Sequence, residues 1–185
     1  MALRSAAQET DRLSRLAEDL LVLARSNGGG LPVRRERLDV AHLVQREVRS
    51  FASRAAGLEV SLVAKVEGGP AVELDAARMR QAIGNLIDNA LRHTRPGGRI
   101  VVEVEYADQA VSIAVADSGD GFAPEFLGRA FDPFSRSDAA RTGADGGAGL
   151  GLTIVRAVAE AHGGSVQARN GPAGGAIVTL RLPVP

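Results

Sequence analysis

The stretch NLIDNALRHT, residues 85–94, carries two carboxamides one helical turn apart and a guanidinium three residues further on: Asn85, Asn89 and Arg92. Asparagine is a mediocre helix former that does better at caps and turns, so two on one stripe need a reason. At about 100° per residue, Ile83, Leu86, Ile87, Ala90 and Leu91 gather on one face. Asn85, Asn89 and Arg92 fall within roughly 60° of one another on the other face. An ordinary solvated face would look the same. The chemical alternative is a carboxamide oxygen for a hard cation, with a guanidinium beside it for phosphate. Magnesium takes only one or two protein oxygens and fills its shell with water and nucleotide phosphates, so one asparagine suffices.

Two glycine-rich segments offer complementary chemistry. DSGDGF, Asp117 to Phe122, follows a strand. Its D-x-G-x-G pattern is either a tight loop needing positive φ or a carboxylate aimed at an adenine amino group, with Gly119 and Gly121 letting backbone approach the base. Guanine presents a keto oxygen there, a mismatch that costs factors of roughly 10⁴. GGAGLGL, Gly146 to Leu152, runs straight into a helix. Gly147, Gly149 and Gly151 free backbone N–H groups to point at an anion, and the helix N-terminus adds partial positive charge. A lone G-x-G-x-G is weak evidence, and no Gly-Lys-Ser/Thr follows to make a Walker A loop. Between them, FDPF supplies Phe131 and Phe134 as loop anchors, and the polar run SRSDAARTGADGGA reads as a flexible lid. Arg136 and Arg141 either reach a γ-phosphate from that lid or are solvated loop arginines.

The elements that must position these residues follow from periodicity. Residues 6–26 place Leu13, Leu16, Leu20 and Leu23 on a heptad seam that Leu21 and Val22 widen, predicting a bundle or coiled-coil helix over a surface helix packed on the next domain. Residues 26–32, SNGGGLP, stop it. A helix is expected over 39–57 with Asp39 as N-cap and Gly57 at its end, strands over 58–66 and 71–74, and a helix from Asp75 to about Thr94. Two strands, 99–106 and 110–117, are joined by a turn at Ala107, Asp108 and Gln109. A helix over 150–164 and two final strands complete the chain. Hairpin-linked strands with helices on one face predict an α+β fold: a two-layer α/β sandwich with a mixed, mainly antiparallel sheet.

Composition narrows the function. The 22 basic residues balance the 22 acidic ones, which gives no reason to expect nucleic acid or anionic membrane as a partner. The absence of cysteine excludes a disulfide scaffold, a thiol nucleophile and a cysteine-ligated zinc site. No run approaches the roughly 18 apolar residues of a membrane span, and no signal-peptide pattern is present. A start already in helical rhythm, MALRSAAQETDR, suggests a segment of a longer protein.

N-x-x-x-N on a helix, D-x-G-x-G after a strand, F-x-P-F, then G-x-G-L-G-L opening a helix, in that order, together resemble the catalytic and ATP-binding domain of sensor histidine kinases. That family shares the Bergerat ATP-binding fold with gyrase and MutL. The resemblance covers residues 33–185. Residues 1–27 look like the end of the second helix of the family's dimerisation and phosphoacceptor bundle, with 28–32 as linker.

The resemblance implies ATP and Mg²⁺ as cofactors. Asn89 would coordinate magnesium, Asn85 would line the same site, and Arg92 would contact phosphate. His93 would lie beside the nucleotide, Asp117 would take the adenine amino group, and Gly119 and Gly121 would shape its pocket. Phe131 and Phe134 would hold the lid. Gly147, Gly149 and Gly151, with Leu150 and Leu152 between and beside them, would line the triphosphate. Hydrolysing relatives carry glutamate at the position of Asn85; a neutral asparagine cannot be that base, so the γ-phosphate would be saved for a protein nucleophile. The family's H-E-x-R-T-P-like phosphoacceptor motif is absent: His42, His93 and His162 stand in other contexts. The chain would therefore not autophosphorylate in the family manner. It would serve an intact phosphoacceptor bundle, with a response-regulator receiver domain downstream. It would be a monomer or weak dimer, cytoplasmic, from a parent anchored in the bacterial inner membrane. The alternatives are a non-catalytic nucleotide-binding or dimerisation module and an anti-sigma-type serine kinase, which glutamate at position 85 would have favoured.

Overall fold

The computed structural model describes residue 17 and residues 19–25, 30–135 and 149–184. Leu13, Leu16, Arg136, Arg141 and Gly147 lie outside the described residues. So does most of the SNGGGLP stretch.

Helix α1 (19–25) leads into β1 (Glu36–Leu38), α2 (Val40–Gly57), β2 (Ser61–Val66), β3 (Val72–Leu74) and α3 (Ala76–His93). After them come β4 (Arg99–Ala107), β5 (Ala110–Asp117), α4 (Pro124–Leu127), α5 (Gly151–Ala161), β6 (Ser165–Asn170) and β7 (Ala176–Pro183). Five strands form one sheet in the order β2-β4-β5-β7-β6. Only β2 and β4 pair parallel; the other neighbours are antiparallel. Ile100, Val102 and Val104 of β4 are buried, as are Val111, Ile113 and Val115 of β5 and Val178, Leu180 and Leu182 of β7. That period of two turns one sheet face toward α2, α3 and α5, giving the expected two layers.

The helix ends are set by local chemistry. Asp39 caps α2, its carboxylate accepting from His42 N at 2.9 Å. At the other end the helix finishes at Gly57 as expected, but the left-handed residue of its stop is not that glycine. Glu59 takes the left-handed conformation, with φ of 56°. Its N–H donates to Ala56 O, and Val60 N donates to Ala55 O, the pair of bonds of a Schellman stop. Burial of Val60 completes it and offsets the strain of a non-glycine residue there. Helix α5 ends the same way with the expected glycine: Gly163, φ 76°, donates to Glu160 O while Gly164 donates to Ala159 O. The β4–β5 turn is tighter than expected, because Ala107 pairs with Ala110 and only Asp108 and Gln109, both at positive φ, make the loop.

Strand β1, which pairs with β3 in a separate two-stranded ribbon, is absent from the sequence expectation. Two exposed charged residues and a half-buried Leu38 are too short a run to show alternation. The linker is also less detached than its glycines suggest. Leu31 is buried in the core, and Arg34 N donates to Asp75 Oδ2 at 2.8 Å. Helix α1 rests against the domain through Val22, 3% exposed, with Leu23 partly buried and Gln81 donating to Asp19. Leu20 of the expected seam points outward with Leu21. Among the described residues no helix is long and apolar enough to cross a membrane.

Asp75 joins three parts of the chain. Its Oδ1 accepts from Ala77 N and Arg78 N, capping α3, while Oδ2 holds Arg34. Its own N–H donates to Nε2 of buried His162 at 3.0 Å, and His162 Nδ1 lies 2.8 Å from Val158 O. Burial pushes the Asp75 carboxyl up, but the three backbone N–H groups and the Arg78 charge together hold it below the ordinary carboxylate value. A carboxyl with a depressed folded pKa stabilises above its unfolded value of about 3.9 and loses that contribution as pH falls through the folded one. Asp75→Ala is therefore expected to cost about 2–3 kcal/mol in urea denaturation at pH 7, combining a lost cap with an unpaired Arg34 N–H. The gap between variant and parent should close below about pH 4. A constant gap from pH 7 to pH 3 would contradict this role.

Candidate functional site

Helix α3 organises the site. Met79, Ala82, Ile83, Leu86, Ile87, Ala90 and Leu91 are buried, which commits that stripe to the core. The opposite stripe carries Asn85 and Asn89, both half-buried. Asn85 faces the start of α5: its Nδ2 lies 3.5 Å from Gly151 O, and a Cβ on Gly151 would stand 3.7 Å from Asn85 Cβ. Two motifs far apart in the chain thus meet across the α3–α5 contact.

Among the described residues no side chain caps the start of α5. Gly149 takes φ of 70°, and Leu150 and Leu152 are buried at 1% and 8%. The two leucines, expected among the nucleotide-lining residues, therefore anchor the helix start from below. The uncapped N–H groups of its first turn, with the positive end of the helix dipole, suit an anion.

Asp117 ends β5 beside the C-terminal end of α3. Its Oδ1 accepts from Gly119 N at 2.8 Å and from Ala176 N at 3.1 Å. A Cβ on Gly119 would overlap His93 O, so glycine is needed for this approach. The His93 ring is exposed. Ser118 exchanges hydrogen bonds with Arg99, accepting from its N–H at 2.9 Å and donating to its carbonyl at 3.0 Å. Gly121, φ 74°, packs against the Asn170 side chain, which accepts from Phe122 N at 2.7 Å and donates to Phe122 O at 2.8 Å.

Asn170 and Gly175 were not among the residues the sequence singled out. The amide of Asn170 imitates a strand neighbour for Phe122. Gly175, at φ 75°, lies so close to Asp117 O that any Cβ would overlap it. The Gly174-Gly175 pair before β7 was the signal available, but it reads locally as a hairpin turn.

Arg92 is engaged with a neighbouring carboxylate, and the two phenylalanines of FDPF differ in their surroundings. Arg92 Nε pairs with Asp88 Oδ2 at 2.7 Å, and Arg54 of α2 pairs with the other oxygen of the same carboxylate. Burial pushes the Asp88 carboxyl up, but hydrogen bonds from Arg92 and Arg54 hold it below the ordinary carboxylate range. Phe131 packs on the core and fits the anchoring role. Phe134 does not: at φ 60° it turns outward and is 65% exposed. Phe122 and Phe126 stack at 5.9 Å instead, and Arg156 reaches Asp132 from α5 at 3.5 Å.

Asn85 thus meets Gly151 at the start of α5 and Gly119 packs on the last residue of α3, so both glycine-rich motifs approach the helix that carries the asparagines. Among the described residues no three His, Asp or Glu side chains cluster as a cation cage. A cation here would take at most the carboxamide oxygens from the protein and the rest from ligand and water, which is how magnesium binds at phosphates.

Residues 74–185 match the family described as histidine kinase-, DNA gyrase B-, and HSP90-like ATPase. A probable sensor histidine kinase of Mycobacterium tuberculosis is 40% identical over 184 residues, covering 100% of this chain and 47% of that protein. Sensor protein SrrB of Staphylococcus aureus is 35% identical over 177 residues, 96% of this chain and 30% of its own length. The chain thus spans less than half the length of these curated relatives. Full-length ShkA, solved in complex with AMPPNP, superposes with a TM-score of 0.85 over 99% of this chain and 38% of its own, at 28% identity.

Proposed function

The chain belongs to the histidine kinase-, DNA gyrase B-, and HSP90-like ATPase family, and on that premise we propose that it is the Mg-ATP-binding catalytic domain of a two-component sensor histidine kinase. The reading rests on Asp117. One oxygen of that carboxylate is already committed to two backbone N–H groups, leaving Oδ2 to accept from a base amino group. Adenine supplies that donor and guanine does not. The ShkA structure with AMPPNP, an ATP analogue, supports the same ligand class.

The residues then divide the work. Asp117 and Gly119 hold the base at the end of α3, and the uncapped first turn of α5 receives the phosphates. Asn89 offers a carboxamide oxygen to Mg²⁺, which when bound neutralises charge on the β- and γ-phosphates. An imidazole nitrogen from a phosphoacceptor bundle attacks the γ-phosphorus in line; the P–N bond forms as the bond to the bridging oxygen breaks and ADP leaves. Asn85, lacking a basic group, does not activate water. His162 is no acceptor within this chain, since it is buried with one ring nitrogen on Asp75 N and the other on Val158 O. Onward transfer would go to a receiver-domain aspartate, on the cytoplasmic side of a membrane-anchored parent.

The test is calorimetric titration with ATP and GTP, each with and without magnesium, followed by labelled ATP with an added intact bundle. Magnesium-dependent binding selective for ATP, then label on the bundle histidine, is the expected pair of results. Equal affinity for GTP, or no binding up to millimolar ATP, would sink the reading.

A further inference from the structure

Asn170, the last residue of β6, uses both ends of its amide on one residue of the DSGDGF segment. Its Oδ1 accepts from Phe122 N at 2.7 Å, and its Nδ2 donates to Phe122 O at 2.8 Å. The partners are 48 residues apart, so no local turn requires these bonds. The Phe122 ring packs on the core, which places the residue. The amide fixes how its backbone is turned, and with it Gly121, where a Cβ would stand 2.8 Å from Asn170 Oδ1.

The same hairpin holds the other end of the segment. Ala176 is the register partner of Asn170 across β6 and β7, and its N–H donates to Asp117 Oδ1 at 3.1 Å. One cross-strand pair therefore grips Asp117 with one residue and Phe122 with the other, with Gly119 and Gly121 between them. Asp120 also pairs with Arg95, but at 76% and 78% exposure that contact holds the segment weakly. A glycine-bearing segment loses much backbone freedom on ordering. Gripped at both ends beforehand, it loses less when a ligand arrives.

We propose that Asn170 is a positioning residue for base recognition: with Ala176 it pre-orders residues 117–122, so that Gly119 and Gly121 stand ready beside the Asp117 carboxylate. The inference rests on the nucleotide site described above and adds a residue from a strand that carries none of its motifs. It predicts an effect on the base and none on the phosphates.

Asn170→Ala should weaken ATP binding about fivefold in calorimetric titration, the worth of one or two such hydrogen bonds. GTP binding should stay the same, because its base gains nothing from Asp117. Asn170→Asp, of equal size, should lose as much as the alanine variant, since a carboxylate oxygen then faces Phe122 O where a donor stood. Amide exchange of Gly121 and Phe122 should quicken in the free Asn170→Ala chain. Asn170 is exposed, so both variants should fold, which melting curves report. A merely structural Asn170 would lower the melting temperature and leave the ratio of ATP to GTP affinity unmoved. A folded variant of either kind that binds ATP like its parent overturns the proposal, as does an equal loss for ATP and GTP. A parent chain that binds no ATP overturns the site reading itself, and this inference with it.

Discussion

Asp117→Asn is expected to lower ATP affinity at least about 100-fold while leaving the domain folded. The two consequences separate because the two carboxylate oxygens have different duties. Oδ1 accepts from Gly119 and Ala176 N–H, and an asparagine oxygen can still do so, at a cost of about 1 kcal/mol for replacing charged by neutral acceptors. The other oxygen becomes an NH₂ group that confronts the adenine amino group donor to donor. Losing a charged hydrogen bond and facing two buried donors together amount to about 3 kcal/mol, hence the fold-change. The same NH₂ can donate to the guanine keto oxygen, so the ATP-to-GTP preference should collapse rather than scale down evenly. Titration with both nucleotides beside a melting curve checks all three statements. Unchanged ATP affinity in a folded variant would remove Asp117 from the base site.

Asn89→Ala should separate binding from stability in the opposite sense. Alanine is the better helix former by roughly half a kcal/mol, and among the described residues the Asn89 side chain holds no hydrogen bond of the kind Asp75 makes. The variant should therefore melt at the same temperature or slightly higher. Its magnesium-dependent ATP affinity should fall at least about tenfold, with the magnesium-free affinity nearly unaltered. Equal losses with and without magnesium would show that Asn89 contacts the nucleotide and not the cation.

Much of this molecule was legible in order along the chain. The amphipathic stripe of α3, its Asp75 cap, the alternation of β4, β5 and β7, and the paired glycines after α5 are local signals, because backbone periodicity and capping act over a few residues. Glu59 in place of Gly57 at the α2 stop was not legible, since burial of Val60 decides which residue takes the left-handed turn. Strand β1 was missed because its partner, not its own pattern, makes it a strand. The outward turn of Phe134 and the burial of Val22 in place of Leu20 likewise depend on what the rest of the fold leaves room for.

For the site the division is sharper. Residue type and spacing alone selected Asn85, Asn89, Asp117 and the glycines, because a carboxamide for a cation, a carboxylate for an amino group and bare backbone for phosphate are properties of individual residues. Which of them share a surface was decided by tertiary structure. Asn85 meets Gly151 only because α3 packs on α5, and Asp117 is oriented by Ala176 and crowded by Gly175 only because β7 lies beside β5. Arg54 of α2 reaches Asp88 of α3 through the same kind of contact. Sequence determined the chemistry available to this protein, since that resides in side chains. Packing determined the electrostatics, since charge acts through distance, and distances between remote residues exist only in the fold.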